Sequence, residues 1–224
     1  MHPNVVLYRS NAAASFIPHA LLREVDIPHT SVVLTFKDEK MQAEDGSMSH
    51  ADYKKIHPSG FVPALQVDGV VITEQVAVLT YIAELAPERM LLGSTPLERA
   101  KIYEWLVWIS GTLHVLGYAA LWRPMRFSDD ETAHKAIIEK GRKTIMEAYA
   151  RIEQCIQGLH AVGDRLTVVD FDLHTFWRWG AMRLGIDKED FSSRFPRYTV
   201  LVKRVEKLDS VQQTLKEEEQ ELAF

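Results

Sequence analysis

Apolar and polar positions divide the chain into two stretches with different periods. Asn4 to Tyr8 is a short β-branched run of the kind a buried strand requires. Phe16, Ile17, Ala20, Leu21 and Glu24 follow at helical spacing, with Ser15 suited to the N-cap and Pro18 tolerable in a first turn. Thr30 to Phe36 reads as a second strand, and the polar, glycine-containing residues 38–52 as a loop or short helix. Val62–Val67 and Val70–Ile72 flank Asp68-Gly69, the strongest short hairpin signal. Thr73 then caps a helix whose apolar stripe is Val78, Leu79, Ile82 and Leu85. This order predicts two parallel strands joined by a helix and then an antiparallel pair. The result is a mixed four-stranded sheet in an α/β domain over residues 1–87.

Past a linker at 88–96 every periodic segment is helical, so residues 97–224 are expected to form an all-α bundle. Ile102, Leu106, Ile109, Leu113 and Leu116 step by four and three and end before Pro124. Ile138, Ile145, Tyr149, Ile152, Ile156 and Leu159 do the same before Gly163. Thr167 and Asp170 make a capping box for a helix running to Gly185, and shorter helices follow Pro196 and Asp209.

Composition narrows the functional classes. The formal charge of -5 comes with no Lys/Arg cluster, which argues against nucleic acid. The run Lys216 to Glu221 reads as a solvated helix end. A lone Cys155 excludes an intramolecular disulfide, a CxxC pair and a cysteine-based zinc site. The opening MHPNVVLYRS lacks a signal-peptide pattern, and no apolar run approaches the roughly 18 residues needed to cross a membrane. A cytoplasmic setting is the expectation. Asp170, Asp172 and His174 resemble a metal cluster, but alternate helical residues point roughly 200° apart, so no metal site is expected. HExxH, phosphate-loop and serine-hydrolase patterns are absent.

Two constellations carry chemistry. Pro63 sits between strand-like runs, where it cannot donate to a ladder. If Val62-Pro63 is cis, the Val62 backbone groups face outward and can pair with an extended peptide; if trans, it is an ordinary edge proline. Eleven residues later Thr73-Glu74-Gln75 opens a helix, whose free amides can seat a carboxylate while Glu74 accepts from an ammonium group. Simple helix capping explains the same residues, and both readings stand.

HPSGFVPAL, QVDG and VVITEQVAVLTYIAEL resemble the signature of cytosolic glutathione transferases, NPxGxVPxLxxDGxxLxESxAIxxYLAE. SFIPHALLRE, WISGTLHVLGYAALW and LTVVDFDLHTFWRW are similar to three further blocks of the bacterial Beta class, in the same order. The resemblance implies a thioredoxin-like first domain, a homodimer, and glutathione as co-substrate for attack on a small hydrophobic electrophile. It implies that Val62, before Pro63, pairs with the cysteinyl backbone. Glu74 would hold the γ-glutamyl amine, the Gln75 N–H its carboxylate, and Lys37 would lie near the glycyl carboxylate. His114 falls on the histidine that faces the sulfur, and Val115 replaces the usual lysine after it.

Ala14 stands where the Beta class has its cysteine, so mixed-disulfide chemistry is absent here. Ser15, four residues before His19, has the spacing of a serine-type transferase hydroxyl, and Ser10 is the reserve. Lowering a thiol pKa by ~2 units requires about 2.7 kcal/mol. A hydroxyl donating to a charged acceptor contributes roughly 1.5–3 kcal/mol and a helix N-terminus up to ~2 kcal/mol. The competing reading of Ser15 is a plain helix cap. Tyr8 reads as a packed strand residue, and Arg9 as either exposed or a holder of the thiolate. Trp108, Tyr118, Trp122, Arg123 and Phe127 are candidates for an apolar pocket wall or for core. Glutathione-dependent isomerisation and a non-catalytic binding role are the rival functions.

Overall fold

A computed structural model of the chain describes residues 3–37 and 40–224. Strand β1 (Val5–Arg9) leads into α1 (Phe16–Glu24), then β2 (His29–Lys37), β3 (Lys40–Ala43), α2 (His50–Ile56), β4 (Ala64–Val67), β5 (Val70–Ile72) and α3 (Gln75–Glu84). The strand order is β3-β2-β1-β4-β5, with β1 parallel to β2 and the other neighbours antiparallel. Thus α1 is the crossover between parallel strands, and Asp68-Gly69 turns the β4–β5 hairpin as expected.

The sheet has five strands where four were expected. Residues 40–43, within the segment expected to be loop or short helix, pair with β2 from Leu34↔Ala43 to Lys37↔Lys40. Met41 and Ala43 are buried while Lys40 and Gln42 are exposed, so the strand is a half-buried edge with a period of two. A four-residue alternation flanked by charge is too short to stand out from a loop.

The second half is all-helical. Helix α4 runs continuously over Pro96–Trp122. It is followed by α5 (Glu131–Cys155), α6 (Val168–Arg183), α7 (Lys188–Arg194), α8 (Pro196–Val205) and α9 (Asp209–Glu217), nine helices in all among the described residues. The thioredoxin-like first half and helical second half are as the patterning predicts. Helix α5 stops at Cys155, so Leu159 is 52% exposed rather than part of the stripe. By length and mean hydropathy α4 is apolar enough to span a membrane, contrary to expectation. Its stripe Ile102, Leu106, Ile109 and Leu113 is fully buried in this fold, whereas Leu97, Val107 and Leu116 are exposed. From Ile109 to Ala119 the helix winds as a π-helix, a form concentrated at functional positions.

Three features position the site. Gly117 and Gly141 bring α4 and α5 into backbone contact: a Cβ on Gly141 would lie 2.9 Å from the Gly117 carbonyl oxygen. The Thr167–Asp170 capping box forms, with Asp170 accepting from the Thr167 N–H at 2.7 Å. The link between the halves is also packed, since Leu91 and Leu92 are buried and the Leu91 carbonyl accepts from Val168 N–H at 3.1 Å. One hydrophobic core runs through that junction from the face of α1 and α3 into the bundle.

Candidate active site

A groove of about 400 Å³ lies between the loops of the first half and helices α4 and α6. Its first-half wall combines loop backbone with the side chains of Phe36, Met41, His57 and Phe61. Five residues of the β1–α1 loop, Ser10 to Ala14, line it, together with the segment around Val62-Pro63 and the tip of α3. The Val62-Pro63 bond is cis, and among the described residues the Val62 N–H and C=O make no hydrogen bond. At the tip of α3 the cap is Glu74, not Thr73. Glu74 is exposed at φ 67°, in the left-handed region that costs a non-glycine residue about 1–3 kcal/mol. Its side chain makes no capping bond, and the Gln75 and Val76 amides at the start of α3 make no hydrogen bond among the described residues. The Gln75 carboxamide crosses to the bundle and donates to Asp172 Oδ1 at 2.8 Å. Asp172 is fully buried, and that burial pushes its carboxyl up to about 7.

The β1–α1 loop is clamped from the far end of the chain. Ala12, at φ 56°, donates its N–H to Glu218 Oε2 at 2.9 Å, and its carbonyl accepts from Trp179 Nε1 at 3.2 Å. Glu218 Oε1 lies 2.9 Å from His19 Nδ1, and Glu217 pairs with Arg9 and Arg23. Burial leads in holding His19 down to about 3 and raising Glu218 to about 7, so the imidazole is neutral. The acidic run read as a solvated end is therefore wrong at Glu218, which is 2% exposed. Arg9 is buried in the same cluster, donating to Asn11 Oδ1 at 2.7 Å and Glu217 Oε1 at 3.0 Å. It is neither exposed nor on the groove.

The hydroxyl of Ser15 is also engaged elsewhere. It accepts from Ser10 N–H at 3.0 Å and donates to Ser10 C=O at 3.1 Å, and the residue is fully buried off the groove. Ser15 shapes the loop, while Ser10 lines the groove. The Ala14 and Ser15 amides at the start of α1 make no hydrogen bond among the described residues, since Phe16 and Ile17 bond back to Ala13 and Ala14.

The bundle wall is aromatic. His114 lies 5.7 Å from the Phe176 and Trp179 rings, and burial, then Arg123 and Arg126, holds its imidazole down to about 4. Trp122 packs 4.6 Å from Tyr118 and 5.1 Å from Trp179. Tyr118 offers only a ring face, because its hydroxyl pairs with Tyr149 at 2.5 Å inside the core. Trp108 does not reach this groove. It stands six positions before His114 and faces a second cleft of about 410 Å³ with Trp105 and Arg151. Lys37 is exposed at the end of β2 and does not line the groove, although Phe36 beside it does. The sequence reading missed His57, Trp179, Arg126 and Arg183, all of which border the groove. Trp179 lay within a quoted motif, but which face it presents depends on how α6 packs. Among the described residues no group of three metal-binding side chains comes together.

Comparison with known proteins agrees with this geometry. Residues 15–85 match the family model described as glutathione S-transferase, N-terminal domain. Glutathione S-transferase GstA of Escherichia coli O157:H7 is 31% identical over 81% of this chain and 85% of its own. A maleylacetoacetate isomerase of Dictyostelium discoideum is 26% identical over 66% and 68%. Among solved structures, a bacterial beta class glutathione S-transferase of Sphingomonas chungbukensis superposes with a TM-score of 0.77 at 28% identity, covering 95% of this chain and 98% of that one. A cis Val62-Pro63 edge facing the Glu74 helix tip, together with a relative this similar over most of its length, makes this chain a member of the glutathione S-transferase family.

Proposed function

We propose that the groove binds glutathione along its backbone wall and activates the thiol for attack on a hydrophobic electrophile. One observation carries this: the open Val62 edge, the Glu74 carboxylate and the free amides of α3 and α1 face one groove. Val62 supplies a donor and an acceptor to the cysteinyl backbone, as an added strand would. Glu74 accepts from the γ-glutamyl ammonium, and the Gln75 and Val76 amides hold its carboxylate with help from the helix dipole. The sulfur then lies near the tip of α1. There the free amides and the Ser10 hydroxyl favour thiolate over thiol. Because the Ser15 hydroxyl is occupied by Ser10, the hydroxyl role passes to Ser10. His114 is neutral at pH 7 and faces the sulfur as a polar, uncharged neighbour.

The activated sulfur equally serves glutathione-dependent isomerisation of a conjugated carbonyl compound, a reading favoured by the isomerase among the relatives. Stoichiometry separates the two, since conjugation consumes glutathione and isomerisation returns it. Retention on immobilised glutathione followed by mass analysis of the product tests the proposal. A chain that is retained and yields a thioether supports it, and one that is not retained refutes it in favour of a non-catalytic role. A homodimer, a division at residues 88–96 and a cytoplasmic setting complete the proposal. Sedimentation velocity, limited proteolysis and cell fractionation read them.

A further inference from the structure

The groove contains one acid and three guanidinium groups. Glu74 is the acid, already assigned to the ammonium of glutathione. Arg123, Arg126 and Arg183 all border the groove, and among the described residues none of them forms an ion pair. The two fully buried arginines have carboxylates, Arg9 with Glu217 at 3.0 Å and Arg178 with Glu206 at 2.7 Å, whereas in the groove Arg123 is half-buried and Arg126 and Arg183 are exposed. The groove arginines instead lie over aromatic faces. The Arg123 guanidinium is 5.0 Å from the Phe36 ring and 5.1 Å from Phe61, Arg126 is 4.7 Å from Phe61, and Arg183 is 5.9 Å from Trp179. Stacking on π faces holds a guanidinium in place and leaves its N–H donors free. Three such cations in one groove, on a chain of formal charge -5, are a local inversion of sign. Burial, and for Arg123 the neighbouring Arg126, lowers the pKa of Arg123 and Arg183, as expected of cations without a counter-charge.

We propose that the second-substrate half of the groove takes a flat electrophile bearing a carboxylate or an equivalent anionic group. The aromatic faces hold the ring, and Arg123, Arg126 and Arg183 meet the charge. This rests on the transferase reading and narrows its hydrophobic electrophile to an anionic one. An aryl chloride represents the chemistry. The thiolate attacks the carbon bearing chlorine, the C–S bond forms, and chloride leaves with the bonding pair. The thiol proton has already passed to solvent.

The test compares 4-chloro-3,5-dinitrobenzoate with its methyl ester. Each kcat/KM is divided by the uncatalysed rate constant with glutathione, which removes intrinsic reactivity. The acid is expected to be favoured about tenfold, as one charge-assisted contact allows, with the preference shrinking as KCl is raised. Arg123→Gln and Arg183→Gln should each lower that ratio. A wild-type ratio of one, with both compounds turned over, overturns this inference and leaves the transferase reading standing. Consumption of neither compound overturns both. Arginine variants that raise the KM for glutathione equally with either electrophile would assign the guanidiniums to the glycyl carboxylate and also overturn it. The wild-type ratio and its salt dependence decide the matter even if the variants fail to fold.

Discussion

The two walls of the groove are built from different materials. On the first-half side the groups assigned to glutathione are backbone amides, a carbonyl edge and one carboxylate, with left-handed turns at Ala12 and Glu74, while the Phe36, His57 and Phe61 side chains complete that side. On the bundle side the groups that face the groove are ring faces and guanidiniums, presented by α4, the turn that follows it and α6. A backbone wall can recognise one peptide and tolerates little variation, because moving it means moving the sheet. A side-chain wall can be altered residue by residue without disturbing the helices beneath. One groove thus combines a fixed co-substrate seat with an adjustable partner seat.

Breaking the link between the walls should have the largest effect. Glu218→Ala leaves His19 Nδ1 and the Ala12 amide buried without their partner, while Arg9 keeps Glu217. A loss of about 3 kcal/mol is expected from two buried groups left unsatisfied, or roughly 6–12 °C in Tm for a chain of this size, as calorimetry would read. An unchanged melting point would mean that the clamp does not hold the loop. Next comes the backbone wall, where Glu74→Gln should lower kcat/KM for glutathione about 10- to 30-fold by losing a charge-assisted contact. Steady-state kinetics should show no matching change in the KM of the electrophile, and an equal rise in both would erase the distinction between walls. The smallest effect belongs to the side-chain wall. Trp122→Ala, removing a partly exposed ring, should raise the KM of an aromatic electrophile about fivefold and leave the KM for glutathione in place.

The same division explains what the sequence discloses. Asp68-Gly69 is legible because a tight turn demands those residues, whereas for Pro63 and Glu74 the residues alone leave two readings and the resemblance supplies the role. Core periodicity likewise places α1, α3 and most of the bundle. Ser15 and Arg9 were misjudged because sequence position locates a side chain near a loop without saying which way it points. Here Ser15 turns back to its own loop, and Arg9 turns to an acid 208 residues away. Glu218 was illegible for a related reason, since a buried carboxylate within an acidic run looks like its solvated neighbours until the far partner is known. Strand β3 was lost to its shortness. Trp108 was placed on the wrong side although helical arithmetic from His114 already separates the two. Arg126 and Arg183 lie in no motif, and only the tertiary arrangement gathers them with Arg123.

The central claim is that this groove holds glutathione with its sulfur at the tip of α1, and ultraviolet difference titration of the bound thiol tests it most directly. The account predicts thiolate absorbance rising with an apparent pKa about 2 units below that of free glutathione. A bound thiol that titrates like the free tripeptide, or a chain that takes up none, would contradict it.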